Sequence, residues 1–138
     1  MDAQRAPNRA RPIAPSKRPF PTIIPGLLAK GGKPVRAVGV MGGQYQATGH
    51  LQILTGLLDR GLDNQQASDA PRCFVFDGNL SLEPTISATV ADDLAARGHR
   101  TVWADEPLGG CQIVYVDHDR GVMYGASDHR KDGIALAA

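Results

Sequence analysis

Val35-Arg36-Ala37-Val38-Gly39-Val40-Met41-Gly42-Gly43 runs as an apolar, partly β-branched segment into a pair of glycines. Val35 to Val40 predicts a strand. Just beyond the pair, Ala47, Leu51, Leu54 and Leu58 recur at helical spacing, with Ile53 and Leu57 widening the stripe. Arg60 falls in the last turn of that helix and Gly61 stops it. Upstream, Thr22 to Ala29 is apolar again, and Lys30-Gly31-Gly32-Lys33 supplies turn chemistry. The two apolar segments therefore predict a β-hairpin, with Pro25 and Pro34 at its edges or ends.

Working outward, Asn64 to Ala70 predicts a short helix ended by Pro71. Cys73 to Phe76 and Ser81 to Glu83 read as strands around the turn Asp77-Gly78-Asn79. A helix is expected from about Glu83 to Arg97, with Pro84 in its first turn, Ile86, Val90 and Leu94 on its core face and Gly98 as its stop. Three strands follow: Thr101 to Ala104, Gln112 to Val116 and Gly121 to Gly125. The last two are joined by the polar hairpin Asp117-His118-Asp119-Arg120. The order ββααββαβββ predicts an α+β fold with antiparallel pairs and two main helices.

The chain has 138 residues, a formal charge of +1 and 5% aromatics, which suits one domain with a mostly aliphatic core. The average conceals an asymmetry. Residues 1–36 hold eight Lys/Arg and one acid, whereas the remainder carries a net charge of −6. Residues 1–21 read as a Pro/Arg-rich lead-in, extended or disordered when taken alone, and residues 22–138 as the folded part. The lead-in has no aromatics interleaved among its bases, and the overall balance is near neutral, so no nucleic-acid partner is expected. No apolar run reaches the roughly 20 residues of a membrane span, and the basic N-terminus lacks the apolar region of a secretory signal. Cys73 and Cys111 lack metal-ligand spacing but leave one disulfide open.

Little else in the chain carries chemistry. His50, His99, His118 and His129 form no metal pair, so neither metal nor cofactor is expected. His50 reads as structural, His99 as a cation at a helix end and His118 as solvated. Asp128-His129-Arg130-Lys131-Asp132-Gly133 reads as a turn held by Asp–Arg bonds. Asp69 and Arg72 bracket Ala70-Pro71, where a local ion pair would pin the chain. Asp92-Asp93 reads as a solvated helix face, and the acids give no general acid/base pair. No Ser or Cys stands in a nucleophile motif. Gly42-Gly43 admits two readings: a steric turn, or a nest of N–H groups that stabilises an anion.

Several segments, taken in order, resemble the C-terminal half of the small subunit of the γ-glutamyltransferase (glutathione hydrolase) family. They are Lys17-Arg18-Pro19-Phe20, Thr22-Ile23-Ile24-Pro25, Gly32-Lys33-Pro34, Gly39-Val40-Met41-Gly42-Gly43 and Gly49-His50-Leu51-Gln52. Asp69-Ala70-Pro71-Arg72, Glu83, Leu94, Gly98-His99, Gly125-Ala126-Ser127-Asp128, Arg130 and Asp132-Gly133 continue the match. The resemblance implies part of an N-terminal-nucleophile hydrolase αββα sandwich. It implies a self-cleaving precursor whose new N-terminal threonine attacks a γ-glutamyl amide, the acyl group passing on to water or an amine. It assigns Gly42 and Gly43 to the oxyanion hole and Thr22 to substrate binding.

The departures are equally specific. The family's nucleophilic threonine motif has no counterpart here, nor does the large subunit. Where many members carry Ser-Ser after the Lys-Arg-Pro segment, this chain has Pro21-Thr22, which puts glutathione in question as substrate. The family's Asp-Pro-Arg becomes Asp128-His129-Arg130. The chain by itself is therefore expected to be inactive, and to need a partner carrying the large-subunit and N-terminal small-subunit portions. The alternative is a non-catalytic truncated or split product that folds only against such a partner, with exposed sheet edges when alone. A third reading is an independent anion-binding module built on Gly42-Gly43.

Overall fold

The computed structural model describes residues 15–16 and 22–136, so most of the lead-in expected over residues 1–21 lies outside the described residues. Seven strands and three helices follow in order: β1 (Gly26–Lys30), β2 (Lys33–Met41), α1 (Gln46–Leu58), α2 (Asn64–Asp69), β3 (Cys73–Phe76), β4 (Asn79–Leu82), α3 (Ala88–Ala96), β5 (Thr101–Trp103), β6 (Gly110–Asp117) and β7 (Val122–Ser127). Single 3₁₀ turns cover Gly43–Tyr45 and His129–Lys131.

Two sheets form: β1-β2-β6-β7, entirely antiparallel, and β3-β4-β5. The α+β architecture is as expected, with one exception. β4 and β5 pair in parallel, because α3 is the crossover between them and returns the chain in the same direction. The β1–β2 register shifts between Leu28 and Ala29, close to Pro34, which has no N–H for the ladder.

In β2 and β6, alternation sends Val38, Val40, Cys111 and Ile113 to one face of the larger sheet, where they are buried. Ala126 of β7, opposite Ile113, joins them. There they meet Ile53 and Leu57 of α1, Ala67 of α2 and Tyr45 in the main core. Leu27, Met41, Val114 and Met123 project from the opposite face and are exposed. The larger sheet with its helices is thus one sheet-and-helix half of a sandwich. A smaller core of Leu80, Leu82 and Ala91 joins α3 to the second sheet.

The two main helices bury only part of the apolar stripes expected of them: Ile53 and Leu57 of α1 enter the main core and Ile86 and Leu94 pack against the smaller one, while other members of each stripe face solvent. In α1, Gly49, Ile53, Gly56 and Leu57 are buried, while Leu51 and Leu58 are each 61% exposed. Glycines on the inner face let the helix approach Val40 and Tyr45 closely, as a Cβ on Gly49 would lie 2.6 Å from Val40 Cγ1. In α3 the buried residue is Ala91, while Val90 is exposed. That helix starts at Ala88 rather than near Glu83, with the Ser87 side chain capping the Val90 N–H. Pro84 lies in the turn before it. α2 opens on a reciprocal capping box between Asp63 and Gln66.

Candidate active site

Gly42 and Gly43 occupy the junction of β2 and α1 and are exposed. Gly42 has φ 131° and Gly43 φ 59°, values that L side chains rarely adopt, so two left-handed residues stand in succession. The Gly42 carbonyl accepts the Tyr45 N–H at 3.1 Å. Neither glycine N–H donates to another described residue in the loop bonding around it. Two adjacent backbone N–H groups without a backbone acceptor among the described residues thus stand at an exposed corner.

Thr22 comes to the same corner. The β1–β2 register, Gly26 opposite Val38, runs the chain before β1 back toward Gly42. Gln46, the first residue of α1, then donates its Nε2 to the Thr22 carbonyl at 2.6 Å. Thr22 itself is exposed, and Pro21 lies outside the described residues. Gln46 had no signal in the sequence, because a polar residue at a helix start reads only as a solvated position.

His50 is structural in the sense expected. Its Nδ1 lies 2.9 Å from the Gln46 carbonyl and its Nε2 3.3 Å from the Val38 carbonyl, so the ring joins α1 to β2. His99 is exposed beyond α3. His118 is exposed but is held at 2.8 Å by the Pro34 carbonyl. Asp92 and Asp93 are exposed. Cys73 and Cys111 are both free thiols, and burial pushes Cys111 up to about 11. Among the described residues, no group of three His, Cys, Asp or Glu side chains could hold a metal ion.

The expected Asp69–Arg72 pair does not form. Asp69 instead lies 3.0 Å from His129 Nδ1 at the surface. Arg72, only 1% exposed, turns inward to Asp128. Its guanidinium also donates to the Ser68 and Leu108 carbonyls at 2.9 and 3.0 Å. Nη1 and Nη2 find fixed acceptors, which offsets their burial, while Nε has no hydrogen-bond partner among the described residues.

Arg130 completes the cluster, with Nε 2.7 Å from Glu83 Oε1 and Nη2 2.6 Å from Glu83 Oε2. Glu83 also accepts the backbone N–H groups of Arg72 and Leu108, and Asp128 those of Cys111 and Arg130. Burial pushes both carboxyls up, but the Arg130 side chain on Glu83 and the Arg130 N–H with Arg72 on Asp128 outweigh it. Both carboxyls are held below their usual range. Each guanidinium thus faces a carboxylate, and the cluster joins β6, β7 and the end of α2 to the Glu83 and Leu108 loops. The turn at Asp128–Arg130 is held by Asp–Arg bonds as its sequence suggests.

The family model described as Gamma-glutamyltranspeptidase matches residues 1–138. The Acylase ACY 1 proenzyme of Pseudomonas sp. (strain V22) is 36% identical over 131 residues, 95% of this chain and 23% of that protein. The crystal structure of cephalosporin acylase from Bacillus halodurans superposes with a TM-score of 0.81 at 37% identity, over 90% of this chain and 24% of that one. Gamma-glutamyltranspeptidase from Pseudomonas nitroreducens complexed with L-DON shares the fold, with a TM-score of 0.80 at 24% identity over 95% of this chain and 69% of that one. The chain spans about a quarter of the curated relatives it matches first. No described helix is long and apolar enough to cross a membrane. With the match running the length of the chain and the fold shared, this protein belongs to the gamma-glutamyltranspeptidase family.

Proposed function

We propose that this chain is the C-terminal part of an amide-cleaving enzyme of the γ-glutamyltranspeptidase and acylase type, in which Gly42 and Gly43 form the oxyanion hole. The observation that carries this reading is the pair of successive positive-φ glycines, exposed at the strand–helix junction, whose N–H groups have no backbone acceptor among the described residues. A hydroxyl nucleophile from a segment outside this chain adds to the amide carbonyl. The carbonyl electron pair moves to oxygen, and the two N–H groups stabilise that charge. Collapse expels the amine with its proton, and water or an acceptor amine then takes the acyl group. In this reading the Thr22 hydroxyl helps hold the acyl group, which the bond from Gln46 at the start of α1 to the Thr22 carbonyl supports. The bare face of the larger sheet, with Leu27, Met41, Val114 and Met123, is the surface that the remainder of the enzyme would cover.

A γ-glutamyl compound is one class of donor. Pro21 in place of a hydroxyl residue, together with relatives named as acylases at 36% and 37% identity, supports a related amide as the other.

The test replaces the matching segment of the Pseudomonas acylase proenzyme with these 138 residues. The hybrid is assayed on chromogenic γ-glutamyl and simple acyl anilides. The hybrid cleaves an anilide and the 138-residue chain alone does not. Gly42→Ala in the hybrid lowers kcat by about 10²–10³-fold. Turnover by the isolated chain, or an unchanged kcat in Gly42→Ala, would overturn the reading.

A further inference from the structure

Tyr45 is 3% exposed and its ring lies among three glycines. A Cβ on Gly42 would come within 3.3 Å of its Cβ and Cδ1. A Cβ on Gly49 would come within 2.5 Å of its Cε1, and one on Gly109 within 2.5 Å of its Cδ1. Any side chain at Gly49 or Gly109 would force a shift. The ring also meets Phe74 edge-on, with centroids 5.3 Å apart. Among the described residues the hydroxyl has no hydrogen-bond partner, so the residue acts through the shape of its ring and through its backbone.

We infer that Tyr45 is the positioning residue of the oxyanion hole, an inference that rests on the role proposed for Gly42 and Gly43. Carbonyl and N–H point in opposite directions across a trans peptide. The Tyr45 N–H holds the Gly42 carbonyl at 3.1 Å, which turns the Gly43 N–H of the same peptide away from Tyr45. The ring keeps Tyr45 in place to do so. Gly109, just before β6, backs the arrangement, because its missing side chain leaves room for both the ring and the Met41 carbonyl, 2.6 Å from where a Cβ would sit. Gly109 is itself fixed through its neighbour. The Leu108 N–H donates to Glu83 Oε1 and the Leu108 carbonyl accepts from Arg72 Nη1, each at 3.0 Å. The ion cluster therefore reaches the glycine pair through Leu108, Gly109 and Tyr45.

The experiment compares Tyr45→Phe, Tyr45→Leu and Gly42→Ala in the hybrid enzyme, with kcat expressed per site titrated by a covalent inhibitor. An oxyanion hole acts in the transition state, so a displaced donor lowers kcat and leaves KM nearly unchanged. Tyr45→Leu lowers kcat by about tenfold or more with KM within about twofold, and Tyr45→Phe restores the lost rate. A drop with Gly42→Ala but none with Tyr45→Leu overturns the positioning role and leaves the oxyanion hole standing. No drop with either overturns both. An equal drop with Tyr45→Phe assigns the effect to the hydroxyl and also overturns the inference. Amide exchange in the unsubstituted hybrid gives a test that needs no variant to fold. The Gly43 N–H exchanges freely while the Tyr45 N–H is protected, and a protected Gly43 N–H overturns the inference.

Discussion

Arg72 and Asp128, 56 residues apart in the chain, meet with their side chains 2% and 0% exposed to solvent. The pair closes the gap between the end of α2 and the end of β7. Asp128→Ala leaves the Arg72 charge buried with carbonyl partners alone. Breaking one side of a buried pair costs about 3–5 kcal/mol, because the remaining charge is uncompensated. Urea unfolding should show a loss of that size. Arg72→Lys should lose stability too, since one ammonium cannot serve Asp128, Ser68 and Leu108 in the same geometry. An Asp128→Ala midpoint unchanged from the parent chain would refute the structural weight given to the pair.

Acid should weaken the same cluster. Glu83 and Asp128 both titrate below their ordinary values in the folded chain. Their contribution is therefore full above the unfolded carboxyl values of about 3.9–4.3 and is lost as pH falls through the lower folded values. Below about pH 4 the unfolded chain takes up protons that the folded chain does not, so stability declines there. Thermal unfolding followed from neutral pH into this acid window should show the fall. In the double variant Glu83→Gln, Asp128→Asn it should flatten, from a lower starting stability.

The order of elements was legible in the sequence because strand and helix periods differ and glycines stand at the turns. Strand β3 runs from Cys73 to Phe76, as its apolar run suggests. The glycine pair was legible for the same reason. The buried face of α1 was legible only in part: Ile53 and Leu57 of the apolar stripe are buried, but Leu51 and Leu58 are not, because the helix also packs through Gly49 and Gly56. The start of α3 was displaced because Pro84 suits a first helical turn as well as the turn that precedes Ser87. Spacing along the chain pairs Arg72 with its nearest acid, Asp69. Sequence proximity carries no information about a bond that forms only when β7 arrives beside α2. Glu83 looked like an ordinary acid at a helix start, and only the fold brings Arg130 to it. Tyr45 and Gly109 were silent because their importance is steric and mutual.

Alkali should act on a different part of the core. Burial pushes Tyr45 up to about 12 and Cys111 up to about 11. Folding therefore keeps both groups protonated at pH values where the unfolded chain ionises them. Their contribution is full below the unfolded values, about 8.5 for a thiol and about 10 for a tyrosine, and is lost as pH rises through the folded ones. Stability should decline from about pH 9 upward, and Tyr45→Phe should remove the later part of that decline. At neutral pH Tyr45→Phe should be neutral or stabilising by about 1 kcal/mol, because it deletes a buried hydroxyl without a partner. A Tyr45→Phe chain that melts well below the parent would mean that the hydroxyl is bonded.

Gly49 and Gly56 lie on the same buried face of α1, yet the same substitution should move stability in opposite directions. Alanine in a helix interior is favoured over glycine by about 1 kcal/mol. At Gly56 the new methyl would meet Leu62 Cδ1 at 3.5 Å and Ala67 Cβ at 3.6 Å, ordinary contact distances. Gly56→Ala should therefore realise the helical preference and stabilise the chain. At Gly49 the methyl would fall 2.5 Å from Tyr45 Cε1 and 2.6 Å from Val40 Cγ1. Both neighbours are core side chains, held by the walls around the ring and by β2. Overpacking of this kind costs about 1–3 kcal/mol, which outweighs the propensity gain. Gly49→Ala should unfold at lower denaturant than the parent and Gly56→Ala at higher. Equal shifts in the two variants would mean that α1 can move away from the sheet, and that Tyr45 is not tightly held between them.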